Sequence, residues 1–304
     1  MNDRIAPESV HLRPAEGGER RACRMLLQRG DRLGHLGELW IATTADPDSQ
    51  ILGALSLLTL SRTEAASAVL VSGRVVRHWR GRGIGSLLLD TAIAATRHLG
   101  GRALLSQVDP AADPDGVAFL AAKGFERTEF LTTFEVATSR VVESLAPLID
   151  RLRQSDRIPS DARMVPLRHA PLVAAARLHA EHLAGTTQGV SETLNELLVR
   201  DDADDHAVLM IGDEVHGLLI GNTVDGVTVV DAEVLSPESR VSGGSSGWAS
   251  IFMLAERLEW GLSRGSRITR FSCVSGNRPT RRLAARLGAQ PIREEFVFSG
   301  TIDR

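Results

Sequence analysis

The stretch that most limits how this chain can fold is Arg80-Gly81-Arg82-Gly83-Ile84-Gly85-Ser86. It follows an apolar run, Ala68 to Val76. It opens into a segment whose apolar residues Ile84, Leu87, Leu88, Ala92, Ala95 and Leu99 recur at helical spacing on one face. A strand, three alternate glycines and an amphipathic helix predict a tight turn with its backbone amides exposed. Free N–H groups at a helix start, with the positive end of the helix dipole, form a cradle for phosphate. Arg80 and Arg82 add charge that suits a polyphosphate. The plain alternative is a glycine-rich turn that merely enters a core helix.

Spacing separates the known phosphate loops. No Gly-Lys-Ser/Thr occurs, so a P-loop is excluded. A dinucleotide fingerprint needs a third glycine where Ser86 stands. The run does match R-x-x-G-x-G, through Arg80, Gly83 and Gly85. That pattern resembles the acyl-CoA pyrophosphate loop of the GNAT family of N-acetyltransferases.

The order of elements agrees with the resemblance. Val10 and Leu12 mark a first strand within Ser9 to Pro14, and Glu16 to Gly30 reads as a helix. Leu39 to Thr43 and Ile51 to Leu60 flank a hairpin turn rich in Asp and Pro. After the strand Ala68 to Val76 and the loop comes a helix that Gly100-Gly101 should stop. A strand at Ala103 to Val108, a short helix at Val117 to Lys123 and a strand at Phe130 to Val136 complete the series. The expected fold is an α/β sandwich, a mixed and mostly antiparallel sheet with flanking helices. In the GNAT family the helix after the CoA-loop strand ends in Leu-Tyr…Gly-Phe. Phe119, Leu120, Gly124 and Phe125 stand at those places, so Leu120 replaces the tyrosine, and Asp113 stands where an Asn usually opens the helix. There is no tyrosine in the chain.

The pattern then repeats. Arg163 to Leu167 with the helix Leu172 to Leu183 matches the opening strand and helix. Ala207 to Ile211 and Val215 to Ile220 form another hairpin, followed by the strand Val227 to Leu235. Arg240-Val241-Ser242-Gly243-Gly244-Ser245 aligns with Arg80 to Gly85, its last glycine replaced by serine. The helix Trp248 to Leu262, the strand Ile268 to Val274 and an Asn277-started helix closing at Gly288 follow. Arg240 lies about 160 residues after Arg80, and Gly288 a similar interval after Gly124. This predicts two tandem GNAT-like domains at 1–139 and 162–304, joined by a helical linker at 140–161 that carries Pro147 and Pro159. A length of 304 residues suits two domains.

Composition narrows the partners. With 43% hydrophobic and 24% charged residues the chain reads as a soluble globular protein. A net charge of −3 gives no reason to expect nucleic acid. No apolar run approaches a membrane span, and Met1 to Pro14 lacks the apolar core of a signal peptide. No membrane partner is therefore expected, and the expected compartment is the cytoplasm. Cys23 and Cys273 form neither a disulfide framework nor a C-x-x-C metal site, and no metal is expected.

The family resemblance implies acetyl-CoA, or another acyl-CoA, as co-substrate and direct acyl transfer to an amine of a small molecule or a protein. It implies that the Ala68–Val76 strand holds the pantetheine and the turn holds the pyrophosphate. The implied cofactor residues are Val75, Val76, Arg80, Gly81, Arg82, Gly83, Ile84, Gly85 and Ser86. The second loop lacks the glycine that permits close backbone approach. Catalytic residues are not assigned: the family's acid is a tyrosine, and its equivalents are Leu120 and Ala284. A serine, ordered water or positioning alone stay open as substitutes. Asp231 and Glu233 are candidate bases on the second repeat's strand, with exposed strand carboxylates as the plainer reading. His78 is a loop histidine or a base, Trp79 a packing residue and Cys273 a buried thiol. His179 and His182 read as surface residues, and Asp201 to Asp205 as a solvated acidic loop. The rival function is a non-catalytic acyl-CoA-binding or scaffold protein.

Overall fold

The computed structural model describes residues 10–27, 38–44, 50–62, 66–183, 205–236, 239 and 248–302. Along the chain run β1 (Val10–Pro14), α1 (Gly18–Leu27), β2 (Glu38–Thr44), β3 (Ile51–Arg62), β4 (Ala66–Val75), α2 (Ile84–His98), β5 (Ala103–Val108), α3 (Pro114–Ala122) and β6 (Glu126–Ala137). Then follow α4 (Thr138–Gln154), β7 (Ala162–Pro166), α5 (Leu172–Leu183), β8 (Ala207–Ile211), β9 (Glu214–Val224) and β10 (Val227–Leu235). The series ends with α6 (Trp248–Ser263), β11 (Ile268–Val274), α7 (Arg278–Leu287) and β12 (Gln290–Thr301). Mixed sheets with flanking helices are the expected class.

The chain divides into two units, and their boundary is the main departure from expectation. Unit 1 comprises residues 1–128 and 296–304; unit 2 comprises 129–295. In unit 1, β1 to β4 are antiparallel neighbours, β5 lies parallel to β4, and residues 296–301 of β12 pair antiparallel with β5. In unit 2, β7 to β10 are antiparallel neighbours, β11 lies parallel to β10, and residues 131–137 of β6 pair antiparallel with β11. Each repeat thus gives its last strand to the other repeat's sheet. The expected contiguous domains 1–139 and 162–304 are corrected accordingly. The two repeats offer equivalent edges, so exchanging equivalent strands leaves the hydrogen-bond ladders filled. The segment 140–161 is helical but does not behave as a linker: Val141, Leu145, Ile149 and Leu152 of α4 are buried in the core of unit 2 with Phe252, Met253 and Leu258 of α6.

Helix α2 forms for the reasons its sequence announces. Ile84, Leu88, Leu89 and Ala92 are buried against Leu55, Val69, Val71 and Leu104 of the sheet. Burial of the Ile and Leu side chains contributes about 1.5–3 kcal/mol each. Its end is a double-bonded C-cap, with Gly101 N donating to Thr96 O (2.8 Å) and Gly100 N to Arg97 O (3.0 Å). Gly100 supplies the left-handed residue that this cap requires, at φ 71°. On the opposite face of the unit 1 sheet, Cys23 and Leu27 of α1 pack on Leu39, Ile41 and Ala54. Helix α3 starts three residues earlier than the apolar spacing suggests. Asp113 caps it by accepting from Gly116 N, and Pro114 presets its first turn.

Candidate functional site

Strands β4 and β5 pair from Ala68↔Ala103 to Val71↔Ser106 and then separate. On its other edge β4 stays paired with β3 as far as Val75↔Gly53. Beyond Val71, β4 therefore keeps one filled edge, and the opening on its β5 side is a cavity of about 520 Å³ walled by β3, β4, β5, α2 and α3. Leu55, Val71, Ile84, Leu88, Leu89 and Leu120 make its apolar floor, and the glycine turn forms its mouth.

The turn has the expected construction. A short 3-10 segment, Arg77–Trp79, leads to Gly81 and Gly83, whose φ angles of 73° and 84° lie in the left-handed region. A Cβ at either position would meet nothing within 4 Å, so conformation rather than crowding requires glycine there. The first helical bonds run from Ser86 N (3.0 Å) and Leu87 N (3.1 Å) to Gly83 O. The amides of Ile84 and Gly85 precede that ladder and lie at the cavity wall, where the helix dipole adds positive potential. Gly85 sits under the Phe119 ring, 3.6 Å from where its Cβ would be.

Of the residues implied as cofactor-binding, Val75, Arg80, Gly81, Gly83, Ile84, Gly85 and Ser86 line the cavity. Val76 and Arg82 are not on its wall. Val76 N instead donates to Leu52 O at 2.9 Å, and the Arg82 guanidinium lies 4.7 Å above the Trp79 ring. Arg80 reaches back across the mouth: Nε donates to Val75 O (3.3 Å), while Nη1 meets Asp115 Oδ2 at 3.3 Å and Asp113 Oδ1 at 3.7 Å. His78 is exposed and tilts against Trp79, with ring centroids 5.3 Å apart.

Leu120, at the family's tyrosine position, is buried in the cavity wall, and its counterpart Ala284 is buried in unit 2. Cys273 is buried and burial pushes its thiol pKa up, which suits packing rather than nucleophilic chemistry. Glu233 on β10 keeps exposed surface, yet the protein packed round its carboxyl pushes its pKa up, while a hydrogen bond with Ser250 opposes the rise. Two readings of polar residues are corrected. His179 is 1% exposed, because it lies on the same α5 face as Ala175 and Leu178. Asp205 is also buried, accepting from Thr223 N and pairing with Arg257 Nη2 at 3.7 Å. The loop from Arg240 to Ser245, Asp201 to Asp204 and the side chains of His182 and Asp231 lie outside the described residues. In unit 2, β10 and β11 separate after four pairs as well, at Val230↔Phe271. Among the described residues no group of three His, Cys, Asp or Glu has metal-binding placement. None of the described helices is long and apolar enough to cross a membrane. Sequence reasoning missed Ser106, Gly73 and Asp115 as wall residues, since none of them stands in a recognisable motif.

Comparison with known proteins agrees with this geometry. The model of the acetyltransferase (GNAT) family matches residues 10–125. No curated protein matches the chain by sequence. Among solved structures, a tandem GNAT protein from the clavulanic acid biosynthesis pathway is 17% identical, with a TM-score of 0.55 over 97% of this chain and 99% of that one. A putative acetyltransferase from Pyrococcus horikoshii is 11% identical, with a TM-score of 0.55 over 100% and 93% of the two chains. A GCN5-related N-acetyltransferase from Sphaerobacter thermophilus is 14% identical, with a TM-score of 0.50 over 99% and 98%. At such identities the likeness is one of fold, and it extends over both units.

Proposed function

We propose that unit 1, whose residues 10–125 match the model of the acetyltransferase (GNAT) family, binds an acyl-CoA, with acetyl-CoA the leading candidate, and transfers its acyl group directly to an amine. The observation that carries the reading is the continuity of one cavity from the amides at the start of α2 to the point where β4 and β5 part. Its mouth suits a pyrophosphate: two left-handed glycines, unladdered amides and Arg80 converge there. Its inner length offers β4 backbone to the amides of a pantetheine arm and an apolar floor beneath it. Bound there, acyl-CoA supplies an activated thioester. The chain's own part is to hold the phosphates, align the arm and exclude water from the reacting carbon.

The acceptor is an amine of a small molecule or of a protein, and Leu120 means that no phenol assists at the family's usual place. That absence favours the second reading, a protein that binds acyl-CoA without turning it over. Calorimetric titration of acetyl-CoA tests binding, with Gly83→Asp and Ser86→Asp as companions. Aspartate at 83 meets both the left-handed φ and the anion; at 86, in the first turn of α2, it suits the helix and repels only the anion. Saturable binding to the wild type and its loss in both variants are expected. No binding by a folded wild type overturns the proposal. Release of free thiol from acetyl-CoA in the presence of amines then separates transferase from binder.

A further inference from the structure

Three serines line the cavity: Ser72, Ser86 and Ser106. Ser86 belongs to the turn. Ser72 alternates with Val71 and Gly73, so its side chain leaves the sheet on the face opposite theirs. Ser106 is different. It is 9% exposed, and it stands on the face of β5 that also carries Leu104 and Val108, both buried. Directly across from it on β12 is Phe298, which packs with Val108 and Leu120. On its other side its register partner is Val71, the last β4 residue paired to β5. Its neighbours are therefore apolar, and among the described residues its hydroxyl has no hydrogen-bond partner in the protein. Ser106 Oγ is not among the fully enclosed side-chain atoms that lack a partner, so it is accessible rather than sealed in the core. Here the open direction is the cavity.

The position matters because it is the inner end of the path described above. An arm that enters at the start of α2 and follows β4 from Val75 towards Val71 covers about 13 Å of strand, at about 3.3 Å per residue. It arrives where the strands close, beside Ser106. We infer that the Ser106 hydroxyl is a catalytic hydrogen-bond donor to the sulfur of the bound thioester and of the departing thiolate.

This rests on the acyl-CoA reading of the same cavity. In the transfer, the amine nitrogen forms a bond to the acyl carbon as the carbon–sulfur bond breaks. The electron pair of that bond goes to sulfur. The proton lost by the nitrogen leaves through solvent, sulfur takes one proton, and amide and free thiol result. Ser106 donates while charge develops on sulfur and ends the cycle unchanged. A hydrogen bond to a charged acceptor is the stronger kind, so its effect is greatest when the sulfur is a thiolate.

The test uses the full chain, as wild type, Ser106→Ala and Ser106→Thr. Hydroxylamine serves as a surrogate acceptor for acetyl-CoA and thiol release is followed. Ser106→Ala is expected to lower kcat about 10- to 100-fold, with KM for acetyl-CoA within about threefold, and Ser106→Thr to stay within about fivefold of wild type. A second readout needs no turnover. The thiol of bound free CoA, followed by thiolate absorbance against pH, should ionise at higher pH in Ser106→Ala than in wild type. The melting temperature should not fall in Ser106→Ala, since the hydroxyl it removes has no protein partner. An unchanged kcat and an unchanged thiol ionisation overturn the inference. So does a loss of stability or of acetyl-CoA affinity that accounts for the rate. A wild type that binds acetyl-CoA and releases no thiol removes the catalytic role and leaves the binder, whereas a wild type that does not bind it removes the underlying reading itself.

Discussion

The residues at the mouth of the cavity compete for one another. Arg80 is the cation best placed for a phosphate, yet it is shared between Asp113, which caps α3, and Asp115, which is 82% exposed in its side chain. An exposed pair of this kind is worth little and is screened by salt. Replacing Asp115 by Asn should therefore free Arg80 and tighten acetyl-CoA binding by roughly two- to fivefold at low salt. The gain should shrink as ionic strength rises, and titration at two salt concentrations checks both statements. At this scale the sequence was most legible where backbone conformation demands a residue type. Gly81 and Gly83 declare their left-handed turns, but a serine in a strand such as Ser106 declares nothing. His179 on α5 misled for a related reason. Polarity suggested solvent for His179, whereas helical phase put it beside buried Ala175 and Leu178.

At the scale of elements, the separation of β4 from β5 creates the space, and β12 makes one side of its wall. Residues 296–301 pair with β5 along Phe296↔Val108 to Thr301↔Ala103, and Phe298 is buried with Val108 and Leu120. Truncating Phe298 to Ala should destabilise unit 1 by about 3–5 kcal/mol, as a large side chain leaving a cavity does. Denaturant unfolding of the variant against wild type measures it. Strand existence and order were readable from alternating apolar residues. The exchange of last strands was not, because Phe130 to Val136 and the strand after Gly288 present equivalent patterns to equivalent edges. Sequence periodicity fixes which face of a strand is buried; it carries no record of which repeat's edge receives that face. The helix at 138–154 shows the same limit: its charges and Pro147 suggested a connector, while Val141, Leu145, Ile149 and Leu152 fall on one buried stripe.

For the molecule as a whole, the two units have diverged in what they bury. Unit 2 holds an ion pair in its interior. Arg257 and Asp205 have side chains 2% and 5% exposed, with Arg257 Nη2 also donating to Thr223 Oγ1 at 2.9 Å. Burial pulls the Arg257 pKa down to about 10, with Asp205 opposing that pull. The guanidinium still carries its charge at neutral pH, so removing Asp205 leaves that charge unpaired in a low-dielectric setting. Asp205→Ala should lower the stability of unit 2 by about 3–5 kcal/mol, read from its urea midpoint. The Asp205→Ala/Arg257→Leu double variant should recover much of the loss, because it removes the stranded charge itself.

The division of the chain into 129–295 and a unit assembled from 1–128 with 296–304 also sets a timetable. As the polypeptide leaves the ribosome, unit 2 has all its strands in hand once residue 295 has emerged. Unit 1, though synthesised first, must wait with the edge of β5 uncovered until Phe296 to Thr301 arrive. A nascent product that stops short presents that bare edge, the feature by which unfinished sheets aggregate and attract quality control. Synthesis through Phe296 to Thr301 is thus what closes the wall of the cavity, so the unit whose first strands are made earlier is the one completed later.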